Sequence, residues 1–184
     1  MSTTPKAQKF PFNTESARYR DILLPYFKGP GIELASQGDP ICDTSWNLDL
    51  PPAQYAQYNS GHAPYGPIQL FGDAFQKFVE DGSLGYVFSS HLLEDQPYER
   101  WKDIFTLWTK ALRKGGVLVV LVPDRTRWKA ALDGGQPPND AHRYEPSEGD
   151  CSKIGEQVGL VTIRDALTNL NEKDYSILYI GKKA

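Results

Sequence analysis

Two polar sites in this sequence stand at the ends of predicted strands, where ligands bind in a parallel sheet. Asp49 ends the strand predicted at Trp46–Leu50, and a carboxylate there can accept hydrogen bonds from both hydroxyls of a ribose. His91 follows Ser89 and Ser90 at the end of a later strand, and its imidazole, which titrates near neutral pH, is a candidate general base. Structural interpretations stay open, because Asp49 could shape the turn before two prolines and His91 could order its loop.

A third site is the loop after the first predicted strand, where the sequence reads Glu33-Leu34-Ala35-Ser36-Gln37-Gly38-Asp39. A nucleotide-type ligand requires small residues here, because the backbone must approach it closely. The side chain of Gln37 departs from that requirement and could fill part of the ligand's space. An ordinary buried strand and turn explains the same residues, so this segment alone favours neither interpretation.

Strands and helices alternate along the chain, and this alternation determines where the three sites meet. Short apolar or β-branched runs predict strands at Ile32–Ala35, Trp46–Leu50, Ile68–Phe71, Leu84–Ser89, Val117–Val122, Val161–Leu167 and Tyr175–Ile180. Apolar residues at helical spacing predict helices at Glu15–Phe27, Asp95–Arg113 and Ser152–Val158, with a small helix at Phe75–Val79. The pattern is typical of a Rossmann-like, doubly wound α/β fold with a mainly parallel sheet of about seven strands. Only a short turn joins the last two strands, so we expect them to form an antiparallel hairpin.

The segments between these elements are predicted as loops or an arm. Residues 1–14 are polar and include two prolines, which predicts a loose N-terminal arm and leaves residues 15–184 as one domain. Pro51–Pro67 contains tyrosines and His62, which could wall a cavity or simply pack, and it has room for one short helix. Pro123–Asp150, with its paired glycines and prolines, predicts a loop-rich lid or binding loop. Lys114-Gly115-Gly116 is expected to stop the long helix.

Composition and charge argue against several classes of protein. The 184 residues are 40% hydrophobic and 23% charged, as in ordinary globular proteins, and the net charge of −3 offers no electrostatic attraction for nucleic acid. The two cysteines, without a secretion signal, indicate reduced thiols in a cytoplasmic protein. The most apolar run is far shorter than a membrane span. The sequence has no nucleophile elbow, Walker-type phosphate loop or zinc-ligand spacing, so no metal site is predicted.

Three neighbouring segments together carry a family resemblance. They read FGDAFQKFVEDG at Phe71–Gly82, SLGYVFSSHLLED at Ser83–Asp95 and WKDIFTLWTKALRKGGVLVVLVPD at Trp101–Asp124. The series resembles the central part of the class I S-adenosylmethionine-dependent methyltransferases, and the resemblance extends over most of residues 15–183. It implies S-adenosylmethionine as cofactor and a small molecule as methyl acceptor. Nucleic acid is disfavoured as acceptor, because the sequence lacks a catalytic tetrapeptide of the Asn-Pro-Pro-Tyr kind.

The same resemblance assigns candidate residues to the cofactor site. The Asp73 carboxylate and the Ala74 N–H would meet the adenine amino edge, and Asp49 would hold the ribose. Glu33 takes the acidic position that precedes the family's glycine-rich loop. The full expected set is Glu33, Ala35, Ser36, Gln37, Gly38, Asp49, Asp73, Ala74 and Ser89.

The sequence also departs from the family pattern. Ala35, Gln37 and Asp39 stand at the three positions of the Gly-x-Gly-x-Gly loop, with Gly38 displaced by one residue, and Gly85 replaces an acidic residue of the fourth strand. These departures motivate a second hypothesis, since a fold does not imply an activity. The chain would then be a non-catalytic protein of the methyltransferase fold that has lost the cofactor and binds a protein partner or a second copy of itself.

The segment PPNDAHRYEP, at Pro137–Pro146, resembles the region after strand five in methyltransferase-like proteins of glycan biosynthesis clusters. The resemblance implies a sugar or glycan precursor as acceptor. His142 would be a base on the acceptor side, and Arg125 or Arg143 could bind an anionic group. A histidine in a surface loop remains the alternative interpretation of His142.

Overall fold

The computed structural model describes residues 15–58, 64, 66–171 and 174–184, and for Glu15 and Tyr58 the backbone alone. The predicted arm of residues 1–14 lies outside the described residues, as do His62 and Tyr65. The predictions made for them therefore stay predictions.

The described residues form a seven-stranded sheet in the order β3-β2-β1-β4-β5-β7-β6. The strands are β1 (Gly31–Leu34), β2 (Trp46–Asp49), β3 (Leu70–Phe71), β4 (Leu84–Ser90), β5 (Leu112–Pro123), β6 (Leu160–Leu167) and β7 (Ser176–Lys183). The first five strands are parallel, whereas β7 lies antiparallel between β5 and β6. The prediction of a mainly parallel sheet that closes with an antiparallel hairpin is confirmed.

Five α-helices connect or cover these strands in the described ranges. They are α1 (Arg20–Leu23), α2 (Pro52–Tyr58), α3 (Trp101–Ala111), α4 (Arg125–Asp133) and α5 (Asp150–Gln157). Short 3-10 turns at Glu15–Tyr19 and Leu24–Tyr26 extend α1 at both ends, and two more at Leu93–Asp95 and Tyr98–Arg100 precede α3. None of the helices among the described residues has the length and apolar composition that crossing a membrane requires.

Alternate residues of β5 enter two separate apolar clusters, as the two-residue period of a strand requires. Leu118 and Val120 pack with Trp101 and Trp108 of α3, whereas Val119 packs on the other face with the N-terminal helical segment. On that second face the rings of Phe27 and Tyr86 stack at 4.3 Å between centroids. The sheet is therefore covered on both faces, which explains why β5 is a continuous apolar run.

One predicted helix end and one predicted small helix are wrong for local reasons. The helix α3 ends at Ala111, and Gly115-Gly116 lie inside β5 rather than at a helix stop. A β-carbon on Gly116 would lie 2.9 Å from the Arg113 carbonyl oxygen and 3.1 Å from the Gly85 carbonyl oxygen, so close backbone contact explains this glycine. No helix forms at Phe75–Val79, where Asp73 instead holds a single turn by accepting a hydrogen bond from the Phe75 N–H at 2.8 Å.

The loop-rich segment Pro123–Asp150 begins with the helix α4, which the sequence pattern did not predict. Asp124 caps it by accepting a hydrogen bond from the Arg127 N–H at 2.9 Å. Trp128 is the buried residue of this helix. The rest of the segment has no regular structure until α5 begins.

Candidate functional site

A cavity of about 440 Å³ opens at the carboxyl ends of the parallel strands. Its β1–β3 half is lined by Ala35, Ser36, Gln37, Asp49, Asp73 and Ala74. Its β4–β5 half is lined by Ser90, His91, Leu92, Asp95, Gln96, Ala141 and Arg143. Of the expected site residues, Glu33, Gly38, Ser89 and His142 do not line it. The volume lies within the range of about 300–1,000 Å³ that small-molecule sites occupy.

The loop after β1 has a left-handed backbone at three of its positions. The φ angles are +54° at Ala35, +55° at Gln37 and +77° at Gly38. A β-carbon on Gly38 would lie 2.1 Å from the Gly66 carbonyl oxygen, so no side chain fits there. Ala35 and Gln37 stand where the family pattern has glycines, and they adopt a conformation that glycine accepts at no steric cost.

Glu33 lies behind this loop and is fully buried. Its carboxylate accepts hydrogen bonds from the Ile41 N–H at 2.6 Å, the Cys42 N–H at 3.0 Å and the Ser45 hydroxyl. Burial raises the pKa of Glu33 to about 7, with the Ser45 hydrogen bond opposing that rise. The side chain therefore holds the segment between β1 and β2 in place rather than facing the cavity.

Asp49 and Asp73 bring carboxylates from two neighbouring strands into the β1–β3 half. Asp49 accepts hydrogen bonds from the Gln37 N–H at 3.1 Å and the Leu50 N–H at 2.8 Å, and burial raises its pKa. The first of these bonds joins the end of β2 to the left-handed loop. The next residue after Asp73 is Ala74, whose carbonyl oxygen accepts a hydrogen bond from Trp108 Nε1 at 2.8 Å. The core helix α3 thus fixes the turn that carries Asp73.

His91 lines the β4–β5 half, but both of its ring nitrogens already have protein neighbours. Nδ1 lies 3.3 Å from Glu94 Oε1, and Nε2 lies 3.1 Å from Ser176 Oγ. The residue has a φ of +48°, which turns the chain sharply at the end of β4. These contacts favour the interpretation of His91 as a residue that orders its loop.

Glu94 is the residue of this site that sequence reasoning missed. It is fully buried, and its Oε1 atom also lies 3.8 Å from His142 Nε2. His142 packs against Trp128 at 5.2 Å between ring centroids, and burial lowers its pKa although Glu94 opposes that shift. The available signal was the spacing of His91 and Glu94, because residues three apart can face each other on one turn.

Two smaller expectations are refined by the geometry. Ser89 is fully buried beneath the cavity, and the next residue, Ser90, lines it and accepts a hydrogen bond from Ser16 Oγ at 2.8 Å. Arg125 donates two hydrogen bonds to the Glu145 carbonyl oxygen, at 2.9 and 2.7 Å, so its guanidinium is occupied outside the cavity. Arg143 is therefore the arginine that lines the cavity among the described residues.

Comparison with known proteins identifies the fold. No family model matches this chain, and no curated protein matches it. A methyltransferase dependent on S-adenosylmethionine from Archaeoglobus fulgidus superposes with a TM-score of 0.65 at 17% identity, over 92% of this chain and 93% of that one. The magnesium protoporphyrin IX methyltransferase of Synechocystis, solved with bound S-adenosylhomocysteine, gives 0.62 at 17% identity, over 92% and 81%. A chain from the complex between the Haloferax volcanii Trm112 methyltransferase activator and a candidate methyltransferase gives 0.62 at 12% identity, over 91% and 90%.

This chain has the class I methyltransferase fold. The superpositions establish the fold, whereas identities of 12–17% leave the activity to be argued from the site. The described residues of the methyltransferase fold include no group of three or more His, Cys, Asp or Glu side chains arranged to hold a metal ion.

The residues of the β1–β3 half offer polar groups of the kinds that S-adenosylmethionine would need. Ser36 Oγ is buried, lines the cavity and has no hydrogen-bond partner among the described residues, so a polar ligand group could satisfy it. Asp49 and Asp73 supply carboxylate acceptors for hydroxyl and amino groups. The side chain of Gln37 is partly exposed in the cavity wall, and it takes up space where the family pattern has a glycine.

Proposed function

We propose that this protein transfers a methyl group from S-adenosylmethionine to a small molecule, and that the acceptor is a sugar or another glycan precursor. The observation that carries the proposal is the meeting of Asp49, Asp73 and the left-handed loop of Ala35 and Gln37 in one cavity. The methyltransferase fold and the presence of S-adenosylhomocysteine in one structural neighbour support it.

In this proposal the β1–β3 half holds the cofactor. Asp49 would accept hydrogen bonds from the ribose hydroxyls, and Asp73 with the Ala74 N–H would meet the adenine edge. Glu33 would act from behind by holding the loop after β1. When bound, S-adenosylmethionine supplies an electrophilic methyl group on its sulfonium. The protein's contribution is to hold the acceptor in line with that group and to exclude water.

The β4–β5 half would then receive the acceptor. Arg143 offers a cation to an anionic substituent, such as the carboxylate or phosphate of a sugar derivative. A general base is needed only if the acceptor must lose a proton. His91 would have to exchange its contact with Ser176 for that proton, and His142 would have to turn towards the cavity that its two chain neighbours line.

In this proposal the activity is cytoplasmic, where cysteines stay reduced. Cys42 and Cys151 are free thiols that form no disulfide, as expected in a reducing compartment. We further propose that residues 15–184 act as a single domain around the cavity.

A second candidate function is favoured by one observation. The Gln37 side chain lines the β1–β3 half where the family pattern has a glycine. If it blocks the cofactor, the chain is a non-catalytic protein that binds a protein partner or forms a homodimer.

Calorimetric titration with S-adenosylmethionine and S-adenosylhomocysteine separates the two candidates. Micromolar binding, about −8 kcal/mol, is expected for the enzyme. Asp73→Ala should weaken it roughly tenfold or more, because a hydrogen bond to a charged group contributes about 1.5–3 kcal/mol. Asp81→Ala is the matched control, since Asp81 is exposed and lies outside the cavity. Absence of binding in a folded sample would favour the non-catalytic candidate.

A further inference from the structure

Glu94 connects two separate parts of the β4–β5 half through its main chain. Its carbonyl oxygen accepts hydrogen bonds from the Arg143 N–H at 2.8 Å and the Tyr144 N–H at 3.1 Å. Both donors lie far along the sequence, beyond α4. One residue just after β4 therefore fixes the segment that presents Ala141 and Arg143 to the cavity.

The side chain of Glu94 connects the two histidines of the same region. Its fully buried Oε1 lies 3.3 Å from His91 Nδ1 and 3.8 Å from His142 Nε2. Neither carboxylate oxygen makes a regular hydrogen bond with the described residues. A buried carboxylate is costly unless a cation or a donor compensates it. The two imidazoles are in position to do so, because each can direct a ring N–H at the carboxylate and a further proton on either ring would add the compensating positive charge.

We propose that Glu94 is the positioning residue of the acceptor half: it holds His91 and His142 around one shared proton and anchors the segment that carries Arg143. This inference rests on the proposed function, which assigns the β4–β5 half, here called the acceptor half, to the methyl acceptor. The physical arrangement can be tested without an acceptor. Glu94 itself does not line the cavity, so it acts through these three residues.

The charges around His142 determine in which direction its pKa should move when a neighbouring group is replaced. Burial lowers its pKa most, the Glu94 carboxylate raises it, His91 lowers it, and the exposed Glu145 carboxylate raises it. His91 faces Glu94 on one side, and Ser176 and the ring of Tyr175 on the other. A proton shared around Glu94 couples the two histidines, so changing one should move the titration of the other.

Histidine titration followed by NMR tests the arrangement directly, because the chain has three histidines and Gln substitutions assign them. In Glu94→Gln the pKa of His142 should fall below the wild-type value. Glu145→Gln makes the same chemical change on an exposed carboxylate near the same imidazole, so its downward shift should be smaller. Equal shifts in the two variants, or no shift in Glu94→Gln, would overturn the proposal.

A second variant keeps the test decisive if Glu94→Gln does not fold. His91→Gln removes the other member of the cluster and leaves Glu94 with His142 alone, so the pKa of His142 should rise. An unchanged His142 titration in His91→Gln would show that no proton is shared and would refute the proposal. Calorimetry with S-adenosylhomocysteine on the wild type reports separately on the proposed function, because cofactor binding does not enter the histidine titrations.

Discussion

Replacing Gln37 by glycine should stabilise this protein rather than weaken it. Gln37 has a φ of +55°, and Ala35, two residues earlier, has +54°. Ser36 between them does not have a positive φ. The three residues therefore allow the same substitution to be made in one loop at strained and unstrained positions.

The expected magnitude follows from two opposing terms. A left-handed backbone costs a residue with a β-carbon about 1–2 kcal/mol, which glycine would recover. Glycine in turn loses about 0.5–1 kcal/mol through its greater freedom in the unfolded chain. Gln37→Gly and Ala35→Gly should thus each raise the free energy of unfolding by about 0–1.5 kcal/mol, at about 2–4 °C in Tm per 1 kcal/mol for a chain of this size. Ser36→Gly should lower it by about 0.5–1 kcal/mol.

Thermal and urea unfolding of these variants are the appropriate assays. Asn169→Gly is a remote control, since Asn169 has a φ of +54° outside the cavity. Its gain should be smaller or reversed, because asparagine tolerates this conformation better than glutamine and because the Asn169 amide oxygen accepts a hydrogen bond from Arg127 at 2.6 Å that glycine cannot replace. If Gln37→Gly destabilises the protein as much as Ser36→Gly does, the left-handed conformation of Gln37 is not the native one. S-adenosylhomocysteine binding that appears only in Gln37→Gly would show that this side chain closes the site.

Three further predictions concern buried groups. Burial raises the pKa of Glu33 from 4.5 to about 7, so the folded protein holds this proton more tightly than the unfolded chain. The free energy of unfolding should therefore fall by about 3 kcal/mol as the pH rises from 4.5 to about 7. In Glu33→Gln, urea unfolding at several pH values should show a free energy of unfolding that depends less on pH. Tyr19→Phe removes the hydroxyl that donates to Asp174 at 2.7 Å; it should lower stability by about 1.5–3 kcal/mol, and a smaller loss would mean that water replaces the bond. Trp108→Phe removes the hydrogen bond to Ala74 and leaves a gap in the core, so it should cost about 1–3 kcal/mol and also weaken S-adenosylhomocysteine binding. Unchanged binding would mean that the turn carrying Asp73 holds without α3.

The order of the elements could be predicted from sequence where the signal is local. The continuous apolar run of β5 and the helical spacing of apolar residues in α3 depend on neighbouring residues alone, and both elements could therefore be predicted. The position of β7 between β5 and β6 depends on pairing between distant residues, such as Val120 with Tyr179, which no local pattern reports. The helix α4 had one local signal, Asp124 before it as a capping residue, but its short sequence, in which four of nine residues are charged, lacks a clear apolar stripe.

The part of the candidate site that lies at the ends of strands could be predicted from the sequence. Asp49 is the last residue of β2, Asp73 comes shortly after β3, and both line the cavity. Glu94 was not predicted, because charged residues are almost never fully buried unless paired, and its partner His142 lies 48 residues along the chain. The spacing of His91 and Glu94 could suggest that they are neighbours, but the burial of the carboxylate is a property of the folded chain.

The absence of two glycines of the family pattern from the loop after β1 has not changed the backbone conformation of that loop. If these positions no longer needed a left-handed backbone, residues with side chains would relax to the ordinary conformation, which is lower in energy. Instead the conformation persists, held by the Asp49 hydrogen bond to the Gln37 N–H, the ion pair of Arg20 with Asp39, and the close approach of Gly38 to Gly66. Strain that the surroundings maintain is a reason to suspect function at that loop. In our proposal, the space taken by the Gln37 side chain is therefore the first feature to test when the enzyme is to be distinguished from the binding protein.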